Sequence, residues 1–331
     1  MVEMNDDHPR TGAPTLDAGG SRPPIASEKV SDREGIVHEA ERQNPQRRGA
    51  LTLVLKVGSL LFPVAIFVFG IEHLIFAGAA VDAMYPWVLG SPAWNYVFGA
   101  LLITVSVSIG IKKRAPLAAS VLGTTLCVYV LLLCVPRIVA HLHDPGPWTS
   151  ILGIGSALAA AGELLAMSGV AWVLAGGRME NRPGFLAGDM ERTARLGRVL
   201  FAGPLVVFGI QHFLYPGFLA TLIPSWIPWH LFWEDVVGAA FIAAATGIAT
   251  NKAARLAALL LGMMFGLFVL VLHVPRVVAA VRSLDEWTSA FVAVAISGGA
   301  FVLAEAAKRS TEGRPLPAAR RGAAGTRAAR T

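Results

Sequence analysis

Phe208-Gly209-Ile210-Gln211-His212 opens a run rich in aromatic residues and proline that continues from Phe213 to Trp229. A near copy of the opening, Phe69-Gly70-Ile71-Glu72-His73, lies 139 residues earlier (212 − 73 = 139). At the same spacing Trp94 matches Trp233, Gly99 matches Gly238, Ala118-Ala119 matches Ala257-Ala258, and Gly123 matches Gly262. Val135-Pro136-Arg137 matches Val274-Pro275-Arg276, and Trp148-Thr149-Ser150 matches Trp287-Thr288-Ser289. Ungapped matches over such a length read as a tandem duplication, which divides the chain into two comparable halves.

Apolar residues make up 54% of the chain and charged residues 15%, with a mean hydropathy of +0.58. A soluble domain carries about 25% charged residues. Here the charges crowd toward the two ends and leave long apolar runs between them, which predicts an all-α polytopic membrane protein. The net charge of +6 does not call for a nucleic-acid partner. It comes mostly from the C-terminal segment, where Lys308, Arg309, Arg314, Arg320, Arg321, Arg327 and Arg330 face one acid, Glu312. A basic flank beside a membrane span is ordinary orientation chemistry. Cys127 and Cys134 share one apolar run without a Cys-x-x-Cys motif, and they read as small core residues.

A membrane-crossing helix needs about 20 apolar residues. The sequence places eight, at about 53–76, 93–112, 116–141, 149–175, 197–215, 230–249, 253–280 and 288–307. Four fall in a repeat at 51–176 and four in a repeat at 197–307, joined by a polar linker at 177–196. Residues 1–50 lack apolar periodicity and read as a disordered tail, with no signal peptide. Residues 308–331 form a basic tail. Lys and Arg cluster in the 2–3, 4–5 and 6–7 connections and in both tails, which places all of these in the cytoplasm of a plasma (inner) membrane. With four spans each, the repeats run parallel, as two four-helix bundles. The opposite face carries Met84-Tyr85-Pro86-Trp87 and Pro224-Ser225-Trp226-Ile227-Pro228-Trp229. Such loops read as an interfacial aromatic belt, with a lid over a site as the alternative.

Polar groups inside the membrane are costly and therefore informative. Glu72 and His73 end the first span, and Gln211 and His212 end the fifth. Arg137 and His141 sit one turn apart late in the third, and His273 and Arg276 late in the seventh. Glu234 opens the sixth, where the helix dipole favours a carboxylate. Each repeat keeps one arginine and one carboxylate, so the expected ion pairs are Arg137 with Glu72 and Arg276 with Glu234. Two readings stay open. One is structural ion pairing at the outer leaflet. The other is a small-molecule or proton site, in which histidine and arginine bond a quinone carbonyl and histidine carries its proton. Haem is a further alternative through His73, His212 or His273. No metal-ligand spacing, phosphate loop or catalytic triad order is present.

Phe208-Gly209-Ile210-Gln211-His212-Phe213, the proline-rich loop after it, Ala257-Ala258 and His273-Val274-Pro275-Arg276 resemble the DoxX-like membrane family, a four-helix unit. The first repeat follows the pattern less closely, with Leu74 after its histidine. The resemblance implies an accessory subunit of a quinone-linked redox system, with a membrane or periplasmic redox partner. A non-enzymatic scaffold or small-solute permease is the rival class.

Overall fold

Each apolar run folds as a helix, the form in which a single segment satisfies its own backbone amides without water. The computed structural model describes residues 45–76, 92–143, 149–177 and 184–312. Among the described residues there is no strand, and eight helices are long and apolar enough to cross a membrane. They are α1 (Pro45–Ile75), α2 (Pro92–Gly110), α3 (Ala115–His143), α4 (Thr149–Gly176), α5 (Gly184–Leu214), α6 (His230–Ala249), α7 (Ala254–Ala279) and α8 (Leu284–Glu312). The expected first aromatic loop and most of both tails lie outside the described residues.

Several boundaries differ from expectation. α1 starts at Pro45, inside the tail expected at 1–50, and α8 runs on to Glu312, inside the tail expected at 308–331. The polar linker expected at 177–196 is mostly helix, because α5 starts at Gly184. Met190, Glu191, Ala194, Arg195 and Leu196 are all good helix formers. Arg195 and Glu191 also pair at 3.1 Å across one turn, as charges four residues apart on a helix do.

The third and seventh helices share a defect. Each widens into a π-helical stretch, Val130–Cys134 in α3 and Val269–His273 in α7. Pro136 and Pro275 follow directly. Proline brings no N–H and its ring collides with the carbonyl four residues back, so a wider turn there relieves the clash.

Thr52–Thr331 form one compact unit, in which helices pack in chain order. α4 packs on α5, α1 packs on α8, and α4 also touches α8. Glycine sets the closest approaches. A Cβ on Gly169 of α4 would lie 2.5 Å from the Gly197 carbonyl oxygen of α5, and one on Gly197 would lie 2.6 Å from the Gly169 carbonyl. Membrane helices lack a hydrophobic drive toward one another, so they associate where small residues let backbones meet. Gly209 meets Gly238 in the same way between α5 and α6, and Gly70 meets Gly99 between α1 and α2.

The fourth and eighth helices correct the ungapped alignment. Ser168 donates to the Gly123 carbonyl at 2.8 Å, and Ser297 donates to the Gly262 carbonyl at 2.8 Å. Trp172 covers Gly123 as Phe301 covers Gly262, and Gly169 meets Phe201 as Gly298 meets Phe62. Contacts of α1 to α3 therefore recur in α5 to α7 at 139 residues, whereas those of α4 recur in α8 at 129 (297 − 168 = 129). The match of Trp148-Thr149-Ser150 to Trp287-Thr288-Ser289 is out of step with this packing. Longer ends of α3 and α4 around their connection take up the difference.

The glycine contacts predict a graded outcome. Gly169→Val or Gly197→Val forces α4 from α5 and lowers stability by at least about 1–3 kcal/mol, the usual penalty of overpacking. Gly203→Ala, whose new methyl meets nothing within 4 Å, leaves stability nearly unchanged. Thermal unfolding in mild detergent checks both.

Candidate functional site: a cavity at the aromatic end

The Gly209–Gly238 contact fixes what faces what at the adjoining ends of α5 and α6. His212 lies one turn beyond Gly209, and Glu234 lies one turn before Gly238, so the two side chains meet. Nδ1 of His212 is 2.5 Å from Oε2 of Glu234, and the side chains are only 18% and 6% exposed. A carboxylate can only accept, so Nδ1–H donates and Nε2 remains as the second ring nitrogen.

This pair stands in the wall of a cavity of about 860 Å³ between α4, α5, α6, α7 and α8. Its size falls in the range of small-molecule sites, about 300–1,000 Å³. Aromatic rings run along it. Phe241 lies 5.4 Å from the His212 ring, 5.9 Å from Phe208 and 5.6 Å from Phe265, and Phe265 lies 5.6 Å from Phe268.

The segment between α5 and α6 forms part of the wall at the open end. It folds as one helical turn, Pro216–Leu219, and a 3-10 turn, Ala220–Leu222. His230 then bonds the Pro224 carbonyl at 3.3 Å. Phe218, Leu222, Ile223, Trp226 and Ile227 thereby line the cavity. Trp226 and Trp229 also stay exposed, so the segment faces both the cavity and the surroundings. Trp229 holds φ 59°, a left-handed conformation uncommon for a bulky residue, and turns the chain into α6.

Neither expected ion pair forms. Arg276 donates to Oε1 of Glu286 at 2.9 Å, because Glu286 in the first turn of α8 faces it, while Glu234 is taken by His212. Glu72 accepts from Thr288 of α8 at 3.0 Å, and Arg137 is exposed. Gln211 makes a similar bridge between the two halves of the chain, donating to the Gly155 carbonyl of α4 at 2.8 Å. Among the described residues, the buried atoms without a hydrogen-bond partner include Glu72 Oε1, His273 Nδ1 and Glu286 Oε2 at this end of the bundle.

Of the candidate residues, Gln211, His212, Glu234, His273 and Arg276 line the cavity together. The others do not join them. His73 donates to the Phe69 carbonyl at 2.8 Å and lies 5.0 Å from the Phe98 ring. His141 lies against Gly153. At the 139 spacing Asn95 takes the place of Glu234, and Cys134 that of His273. No group of three or more His, Cys, Asp or Glu that could hold a metal occurs among the described residues.

The cavity also contains Glu163 of α4, which a search confined to helix ends passes over. The signal was present in the sequence, since Glu163 is the single charge in the apolar run of α4, and a lone intramembrane carboxyl calls for a reason.

A family described as a domain of unknown function, DUF8561, matches residues 201–308. The match takes in α6, α7, most of α8 and the last part of α5 from Phe201 onward, but not α4. No curated protein and no solved structure matches the chain.

The pairing predicts two measurements. A double-mutant cycle between Arg276 and Glu286 yields a coupling of about 0.5–3 kcal/mol, whereas Arg276 with Glu234 yields none. Glu234→Ala leaves the His212 N–H without its acceptor and costs about 1–3 kcal/mol, as an unpaired buried donor does. Unfolding midpoints of the single and double variants check both.

Proposed function

We propose that this chain is an integral membrane subunit of a quinone-linked redox system. Its halves are two parallel four-helix repeats resembling DoxX-like units, set in the plasma (inner) membrane with both termini in the cytoplasm. The second repeat, completed by α4, binds the quinone at the periplasmic end, and a membrane or periplasmic partner exchanges electrons with it.

The observation that carries this reading is the aromatic-walled cavity with the His212–Glu234 pair in its side. An apolar slot between Phe241, Phe265 and Phe268 suits a lipid-soluble ring. The orphaned Nδ1 of His273 and the Arg276 guanidinium suit its carbonyl oxygens. A bound quinone supplies two-electron, two-proton exchange. Glu234 fixes the tautomer and orientation of His212, which leaves Nε2 to hold or release a proton.

A permease would need a continuous polar path toward the opposite end. Thr104, Ser106, Ser108 and Thr246 instead bond carbonyls of their own helices at 2.8–2.9 Å, which removes them from such a path.

Solvent extraction of protein purified in mild detergent tests the proposal by mass spectrometry. The expected result is about one quinone per chain, absent from His212→Ala and Glu234→Ala and retained in His73→Ala. Quinone-free wild-type protein, or equal loss in all three variants, would overturn it.

A further inference from the structure

Resting on the quinone reading of this cavity, we propose that Glu163 is a ligand-contacting proton group that ties the form of the ring bound to the proton it carries. When protonated it donates a hydrogen bond to a ring carbonyl. When ionised it can only accept one from a ring hydroxyl. The oxidised ring therefore binds together with one proton on Glu163, and the reduced, hydroxyl-bearing ring binds without that requirement. No electron transfer is involved in this step.

The placement supports this. Glu163 lies ten residues into the apolar span Gly153–Gly176 of α4, about 15 Å along it at 1.5 Å per residue. It faces the cavity and has no hydrogen-bond or ion-pair partner among the described residues. The charged groups that could neutralise it are engaged elsewhere: Arg276 holds Glu286, and His212 holds Glu234. The titratable groups facing the same space are His212 on α5, Glu234 on α6, and His273 with Arg276 on α7. From α3, Cys134 lies close enough to feel the charge of Glu163, with Arg137 beside it. At the 129 register the counterpart of Glu163 on α8 is Val292, which lines the same cavity. Glu163 and Ala159 of α4 are the cavity's only lining residues from the first half of the chain among the described residues. An intramembrane carboxyl without a partner is costly to keep unless a ligand uses it.

The test uses the full chain in detergent, with decylubiquinone and its quinol as probes. Trp226 and Trp233 line the cavity, so quenching of tryptophan fluorescence reports binding. In the wild type, quinone affinity falls as pH rises through the Glu163 titration, approaching about tenfold per pH unit for uptake of one proton. Quinol affinity changes little. In Glu163→Gln, whose amide donates at every pH, the quinone curve flattens while helicity by circular dichroism matches the wild type. An unchanged slope in Glu163→Gln would assign the proton to another group, such as His212 or His273, and overturn the inference while leaving the quinone reading intact. Should Glu163→Gln not fold, Glu163→Asp decides. A retained slope with weaker quinone affinity supports the role, and unaltered affinity overturns it. Failure of both probes to quench the wild type would overturn the quinone reading itself, and this inference with it.

Discussion

Backbone contact between Gly169 of α4 and Gly197 of α5 is the constraint on which the aromatic end depends. Lipid tails are as apolar as leucine, so nothing but close packing and hydrogen bonding holds these helices together. With α4 seated at that distance, Gly155 comes within reach of Gln211, and Glu163 enters a space otherwise built by α5 to α8. The contact of α1 with α8 through Gly298 follows the same design and brings Glu72 to Thr288. The cavity is thus a product of how the two halves of the chain meet.

Low dielectric decides the pairing within that frame. A charge taken out of water needs a partner with good geometry, and Glu72, Glu234 and Glu286 each accept from a donor on a neighbouring helix. Glu234, one turn from a glycine contact, meets His212. Glu286 opens α8 beside the last turns of α7 and takes Arg276. In the first half Asn95 replaces the carboxylate, and His73 turns to its own backbone at Phe69. One residue change between the halves thereby separates a histidine held on an acid from a histidine held on a carbonyl.

Much of the architecture was legible from hydropathy, because the length of an apolar run and the positions of proline and glycine bound a membrane helix closely. The sixth helix falls at the expected His230–Ala249, and the seventh departs by one residue at each end. The start of α5 was not legible, since polar residues that prefer helix look like linker when only hydropathy is read. The shift of α4 against α8 was hidden by the chance agreement at Trp148-Thr149-Ser150. Residue identity carries no information on which turn of a helix seats on a neighbour, and Ser168, Gly169 and Trp172 reveal it only through their contacts. Five of the nine candidate residues share one cavity because charge conflicts with apolar surroundings in any context. Their partners were not readable, since pairing depends on helix rotation. Glu163 carried a plain signal, as the single charge in the apolar run of α4.

The seam between α4 and α5 has a counterpart between α8 and α1, and the two are not the same. In a ring assembled from identical chains, any residue placed on one seam would appear on every seam, so an acid facing one chamber would face them all. A single covalent chain is free of that obligation. Glu163 stands in one half and Val292 in the corresponding place of the other, a difference that leaves the glycine contacts of both seams in place. The one cavity that both helices line can then hold an acid from α4 opposite an apolar side chain from α8.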